Sequence, residues 1–368
     1  MNTLRIIGVL VATTIGAGVF SLPAIFERAG WLAGFGYFVV LGSLLAWAHL
    51  LYWRVLERQE KPLALAELAD RFLGRATSRI GAAVVLLGLF FALVVYLILG
   101  RSFFAALFPI PGIWALALFW VLGSVPIVMK LPRMVSLEAG GVVVMAVIML
   151  FVFFSAAHPG AMFERPVLRT EELFLPFGPV LFSFAAWTAV LPMYRAWREG
   201  GEKKGSPRRI VALGTFVSGL LYLLFILGIF GSAEGAVPAE SLGSALGWTP
   251  WKVGLLFVFG LFALWTSYVP IALEIRQTFR DDFGWTNARA VLVTVCVPLI
   301  LVALGFTDFL KVIGLAGGVF TGLQYVLIVA VALRALSLKR PERMLAYAAT
   351  ALFLLAAAYE IYYYVGTS

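Results

Sequence analysis

The apolar run from Ile6 to Phe26 is broken at its centre by Thr13-Thr14-Ile15-Gly16-Ala17-Gly18 and then by Leu22-Pro23. A bilayer span needs roughly 20 apolar residues, so the run is long enough to cross. A helix that only anchors has no use for two glycines at mid-depth, each costing about 1 kcal/mol relative to alanine. Backbone groups freed by a break cannot be left facing lipid, so unwound chain at that depth must face protein or a water-filled cavity. The break therefore points to a binding site. The competing explanation is a seam of small residues where another helix packs closely.

Residues of the apolar class make up 62% of the 368-residue chain and charged residues only 13%, with a mean hydropathy of +0.99. A soluble domain cannot bury that much apolar surface, so the sequence predicts an all-α polytopic membrane protein. The pI of about 9.8 is explained by membrane topology rather than by nucleic acid. The single cysteine, Cys296, excludes an intramolecular disulfide and a cysteine metal site. Arg5 before an apolar run imitates a secretory signal, but the polar break and ten further spans argue against cleavage.

Hydropathy and Gly/Pro punctuation predict eleven spans, near 4–28, 31–57, 79–108, 112–130, 134–157, 174–198, 208–232, 250–280, 286–305, 308–336 and 341–364. A cytoplasmic amino terminus places 22 of the 28 basic residues on the inner side. Arg28, Arg101, Arg165, Arg169, Lys252 and Lys311 are left near the outer face, and the carboxyl terminus lies outside. Residues 62–74 read as a short helix on the inner surface with Leu65, Leu68 and Phe72 on one side. Residues 238–247 read as a short outer helix ended by glycine.

Span six repeats the features of span one. Pro176 and Pro179 precede Phe182-Ser183-Phe184-Ala185-Ala186-Trp187-Thr188, and Leu191-Pro192 follows. Gly16 stands seven residues before Pro23, and Ala185 seven before Pro192. Five spans separate the breaks, so the two helices run in opposite directions. Paired interrupted helices in two inverted halves mark transporter binding sites. The half-helix after the first break presents amides around Thr14, Ile15, Gly16, Ala17 and Gly18 at its positive end, where glycine lets an anion approach. Carbonyls around Phe182 to Ala185 offer acceptors to an ammonium group. An α-amino acid carries both groups, and Ala185 and Ala186 leave room for a large apolar or aromatic side chain.

The stretch from Thr13 to Pro23 resembles the first-span motif of the amino acid/auxin permease family of the amino acid-polyamine-organocation superfamily, especially its bacterial aromatic amino acid permeases. Phe182-Ser183-Phe184-Ala185-Ala186-Trp187 resembles that family's second broken helix, with alanine where glycine is common. Gly314-Leu315-Ala316-Gly317-Gly318-Val319-Phe320 resembles its span-ten segment. The resemblance covers nearly the whole chain. It implies a leucine-transporter-type fold: one transmembrane domain over 1–368, with inverted five-helix repeats over about 4–157 and 174–336. The helix over about 341–364 is then an addition. It also implies secondary active, cation-coupled transport of amino acids across the cytoplasmic membrane.

The same resemblance implies that Tyr96 faces the substrate. It implies a sodium site between spans one and eight, from the carbonyls of Ala12, Ile15 and Ala263 and the hydroxyls of Thr266 and Ser267. Hard oxygen ligands suit a small cation, although Ser and Thr in membrane helices commonly bond their own preceding turn. Some proton-coupled relatives place a lysine in span five, and residues 134–157 contain none. No cofactor is expected beyond Na+ or H+ as coupling ion. His49 reads as a hydrogen-bonded packing residue. Glu138 and Glu274 read as partners of nearby bases, and Arg5 with Asp281 as an inner gate pair.

The expected partners are a small amino acid and the bilayer, not nucleic acid, in a monomer or weak homo-oligomer. Two histidines and one Asp281-Asp282 pair give no enzyme constellation. No charged ring or filter loop suggests a channel. A substrate-sensing or scaffold protein that binds amino acid without moving it is the alternative to a carrier.

Overall fold

Without water inside a bilayer, backbone N–H and C=O groups must be paired within the protein, and the apolar runs of this chain accordingly fold as helices. The structure, a computed structural model, describes residues 3–129, 135–156, 158–199, 205–238, 242–281 and 283–366. Span one is α1 (Thr3–Thr14) and α2 (Leu22–Ala29), joined by a 3-10 turn at Ala17–Ser21. Span two is α3 (Trp31–Glu57). The short helix α4 (Leu65–Leu73) leads into α5 (Arg75–Leu107), α6 (Gly112–Val128) and α7 (Val135–Phe154), which correspond to spans three to five. Span six is α8 (Phe177–Phe184) and α9 (Val190–Glu199), with a 3-10 turn at Trp187–Ala189 between them. Spans seven to nine are α10 (Pro207–Phe230), α11 (Pro250–Asp281) and α12 (Asn287–Ala303). Span ten is α13 (Phe309–Gly314), a π-helical stretch at Leu315–Thr321, and α14 (Gly322–Ala335). Span eleven is α15 (Arg340–Gly366).

Among the described residues, seven helical segments are long and apolar enough to cross a membrane, and the pair Thr3–Thr14 with Ala17–Ala29, bent by 51°, makes an eighth. Gly112–Val128, Val143–Phe154 and Asn287–Ala303 are shorter apolar helices. Large apolar side chains on outward faces, such as Leu213, Phe216 and Leu220 of α10, stay exposed, as surfaces meant for lipid do.

The broken helices occupy the centre. α1 packs on α10 and α9, and α8 packs on the π-stretch, α3 and the turn of span one. α4 forms where periodicity placed a helix, with Leu65 and Leu68 buried against α5 and α14. The Glu67 carboxylate accepts the Ala64 N–H at 2.7 Å and caps its start.

At the end opposite the amino terminus, the segment from His158 to Leu175 folds over the bundle. Its Pro166 and Val167 carbonyls accept from Trp31 and Leu32, and its Arg169 amide donates to Ala29. Gly30 turns the chain there at φ +92°, and a β-carbon on it would lie 2.5 Å from the Val167 carbonyl oxygen. Only glycine suits such a position. Arg28 binds Glu172, with Nε donating at 2.7 Å, and Arg165 reaches Glu27 at 3.2 Å.

The expected outer helix over 238–247 is not what forms. Residues 239–241 lie outside the described set, Leu242–Ala245 is a 3-10 turn, and Ala233 and Leu246 form an isolated antiparallel bridge. The Glu234 amide donates to Ala245, and that of Gly247 to Ser232, both at 2.9 Å. These returns to the end of α10 satisfy the backbone that a helix would otherwise have paired.

A cavity between two broken helices

Both breaks are fixed by tyrosine hydroxyls. The Tyr222 hydroxyl, on α10, lies 2.6 Å from the Thr14 carbonyl and 2.8 Å from that of Ser183, sharing its proton between the last carbonyls of the two helix ends. The Ala186 amide donates to the Tyr325 hydroxyl at 3.3 Å, and that hydroxyl pairs with His49 Nε2 at 2.6 Å. The Ala17 amide points to the Tyr96 hydroxyl at 3.5 Å. Unwound backbone at membrane depth is therefore paired by side chains from spans three, seven and ten, as its burial requires. His49 takes the hydrogen-bonded packing position expected of it.

Between the breaks lies a cavity of about 220 Å³. A liquid water occupies about 30 Å³, so the space suits one small solute. Its lining includes Ala12, Thr14, Ile15, Gly16, Gly18, Tyr96, Phe182, Ala185, Trp187, Thr266 and Ser267, all singled out in the sequence. It runs past the breaks toward the bundle end that carries the amino terminus, through Thr13, Thr188, Pro270, Ile271 and Glu274. Beyond the first break an aromatic cluster is packed, with Phe20 against Phe103 at 5.0 Å and Phe225 at 5.8 Å, and Phe103 against Phe257 at 5.0 Å.

Five expected residues do not line the cavity. Ala17 and Ala186 are buried with their amides toward Tyr96 and Tyr325. The Ser183 hydroxyl donates back to the Pro179 carbonyl at 2.7 Å. Phe184 turns outward, edge-on to Phe38 at 4.9 Å and to Tyr222 at 5.5 Å. Ala263 lies behind Thr266, whose hydroxyl donates to its carbonyl at 2.9 Å.

Gly18 carries a double constraint. A β-carbon there would run into the Ser183 hydroxyl and lie 2.9 Å from its α-carbon. The small-residue seam and the binding break, opposed as explanations in the sequence, occupy the same residue.

The sequence reading missed Gly88, Leu89, Ala92, Gly141, Met145, Thr321 and Gln324, which complete the wall. Helical spacing was the available signal. Gly88, Ala92 and Tyr96 recur every four residues on α5, as do Gly141 and Met145 on α7, placing each set on one face. Gln324 accepts from the Trp187 indole at 2.7 Å and holds that ring at the break.

Four of the five residues assigned to the cation site border this cavity. The donor set is all oxygen, as a hard cation wants, but the Ala263 carbonyl is already taken by Thr266. Ser267 is within hydrogen-bonding reach of Tyr96. Arg5 and Asp281 do not form the gate pair: Arg5 is exposed, and Asp281 sits 3.8 Å from its neighbour Arg280. The Glu138 side chain, Lys130, Arg133 and Asp282 lie outside the described residues.

The architecture is shared with solved transporters. It superposes on MhsT in complex with L-phenylalanine with a TM-score of 0.67 at 13% identity, covering 96% of this chain and 98% of that one. It also superposes on the Eremococcus coleocola manganese transporter in complex with an aromatic bis-isothiourea substituted compound. That TM-score is 0.64 at 14% identity, covering 98% of this chain and 87% of the other. In sequence it is 22% identical to Glutamine transporter 2 of Aliivibrio fischeri, over 84% of this chain and 83% of that protein. It is 25% identical to Amino acid transporter AVT1H of Arabidopsis thaliana, over 73% of this chain and 65% of that protein. The fold is leucine-transporter-like, and the chain is a polytopic membrane transporter rather than an enzyme. Matched over residues 3–364 by the family model, the chain belongs to the tryptophan/tyrosine permease family, within the amino acid/auxin permeases.

Proposed function

We propose that this transporter is a cation-coupled secondary carrier of α-amino acids, in an arrangement whose cavity opens to the cytoplasm. The observation that carries the reading is that both broken helices border one solute-sized cavity. The substrate carboxylate sits at the amides of the first break around Gly16 and Gly18, where the positive helix end favours an anion. Its ammonium lies toward the carbonyls around Phe182 and Ala185. Its side chain lies among Leu89, Met145, Phe182 and Trp187, which favour a large apolar or aromatic group. The family description supports an aromatic amino acid. The distribution of Lys and Arg supports a cytoplasmic amino terminus.

Carboxylate recognition is tested by comparing a free amino acid with its amide and methyl ester in a thermal-shift or titration assay. These analogues, which keep the ammonium but lack the carboxylate charge, are expected to bind at least about tenfold more weakly, the equivalent of about 1.4 kcal/mol. Equal affinities would reject the assignment of the first break.

For the coupling ion the reading is sodium, held by the hydroxyls of Thr266 and Ser267 with carbonyls at Ala12 and Ile15. Thr266→Val with Ser267→Ala removes both hydroxyls at nearly constant volume. Sodium-driven uptake should fall to background while amino acid binding in sodium-free buffer persists. Unchanged sodium dependence in the double variant would remove sodium from this position.

A further inference from the structure

Glu360 has no place in the site described so far, and no motif or spacing singles it out. It lies on α15 within the membrane-spanning part of the chain, and it is 3% exposed. Its Oε1 accepts the Gly178 N–H at 3.0 Å, in the first turn of α8. A side chain at Gly178, Gly314 or Gly318 would collide with the Glu360 carboxyl or its stem, and one at Gly317 with the Gly178 carbonyl. The glycine-rich stretch of span ten is thus shaped around an acid delivered by span eleven.

No basic side chain among the described residues answers it. Among the described residues no ion pair includes Glu360. Phe177–Phe184 and Leu315–Thr321 contain no ionisable side chain. The titratable groups around it are Tyr37 from α3 and Tyr359 and Tyr363 from α15, with Glu172 beyond them. Arg28 is committed to Glu172 and Tyr363. Lys311 of α13 lies over the Tyr364 ring, and Asp308 is near the same tyrosine. A glutamine would accept the Gly178 amide equally well without the desolvation that an unpaired buried carboxylate incurs. Ionisable groups kept inside membrane proteins at that cost mark ion or proton sites.

The position gives the acid something to control. The seam it closes lies between α8 and span ten, which supply Phe182, Thr321 and Gln324 to the cavity wall. Any movement of these elements relative to each other changes the surroundings of the carboxyl.

We propose that Glu360 is a proton-binding site of the transport cycle. It takes one proton from water to close the α8–span ten seam as the neutral acid, and it returns that proton to water when the seam opens. The site is separate from the amino acid and cation positions, so it adds a proton dependence to the carrier whichever ion drives uptake.

The test uses the full chain in proteoliposomes with sodium fixed, and Glu360→Gln, which keeps the acceptor and removes the titration. Wild-type uptake should vary at least about fivefold between roughly pH 5 and 8, whereas E360Q should give a flat profile with unchanged amino acid affinity. Difference infrared spectra should show a pH-responsive carbonyl band of a protonated carboxyl in the wild type that is missing from E360Q. An E360Q profile that follows the wild type, or a wild type without pH dependence, overturns the proposal and leaves Glu360 a cap for α8. If E360Q does not reach the membrane, Glu360→Asp replaces it and must shift the midpoint of the profile; an unshifted midpoint is equally fatal. Should neither protein bind or move amino acids, the carrier reading falls, and the infrared band still decides the proton site.

Discussion

Gly18→Ala should reduce amino acid uptake to less than about a tenth of wild type, with a measurable loss of thermal stability. One methyl group is sufficient because the added carbon meets backbone: the Ser183 α-carbon would lie 2.9 Å away, with its hydroxyl closer still. Overpacking of a tight site costs about 1–3 kcal/mol, and about 1.4 kcal/mol is a factor of ten. The strain falls between the two breaks, so it is relieved by parting span one from span six, which widens the site. Gly16→Ala is the milder comparison, because its β-carbon meets only the end of the Tyr96 side chain, at 2.9 Å. Uptake and melting temperature, measured together for both variants, check the expected order. A Gly18→Ala protein with wild-type uptake would show that the two breaks are not in register with the substrate.

Tyr222→Phe is expected to have a comparable effect by a different route. The ring keeps its edge-on contacts with Phe38 and Phe184, so packing is conserved. What disappears is the hydroxyl shared by Thr14 and Ser183. Leaving a buried carbonyl unpaired costs about 1–3 kcal/mol, and two carbonyls lose their partner at once. Affinity for the amino acid should fall at least about tenfold while the melting temperature drops only modestly. Tyr325→Phe, which releases the Ala186 amide, provides the matching measurement at the second break. If Tyr222→Phe binds as tightly as wild type, the helix ends hold their geometry without the clamp.

The features legible in the sequence are those whose cause is local. Gly16 with Pro23, and Ala185 with Pro192, break their helices because of what glycine, proline and small residues do to the backbone, wherever the segment packs. Leu65, Leu68 and Phe72 declare α4 by their spacing, and the run lengths locate the helices to within a few residues, although of the eleven expected spans eight are long and apolar enough to cross a membrane among the described residues. What escaped the sequence depends on partners far along the chain. Tyr222 reaches Ser183 across 39 residues and Thr14 across 208, and Glu360 reaches Gly178 across 182. No periodicity encodes such pairings. Phe184 shares a motif with Phe182, which does line the cavity, but two positions on along a helix a side chain faces elsewhere, here between α3 and α10. The stretch ending at Gly247 carries a helix-stop signal, yet hydrogen bonds with Ser232 and Glu234 prevail over it.

Family and fold leave the substrate open in a specific way. Similar proteins carry names that include glutamine and manganese transport, so shared architecture does not choose the cargo. The chemistry of the cavity does. One cation moving down about 100 mV contributes about 2.3 kcal/mol, and a tenfold gradient adds roughly 1.4 kcal/mol. Together they sustain about 500-fold accumulation of a coupled solute, so one ion is sufficient.

The most direct test is accumulation of a radiolabelled aromatic amino acid by the purified protein in proteoliposomes with an interior-negative potential, at fixed pH. With sodium outside, the amino acid should accumulate above its external concentration, and that accumulation should collapse when choline replaces sodium. Binding of the amino acid without any flux would contradict the carrier and leave a sensor in its place. Full accumulation driven by a pH gradient alone would contradict sodium coupling and put proton symport in its place.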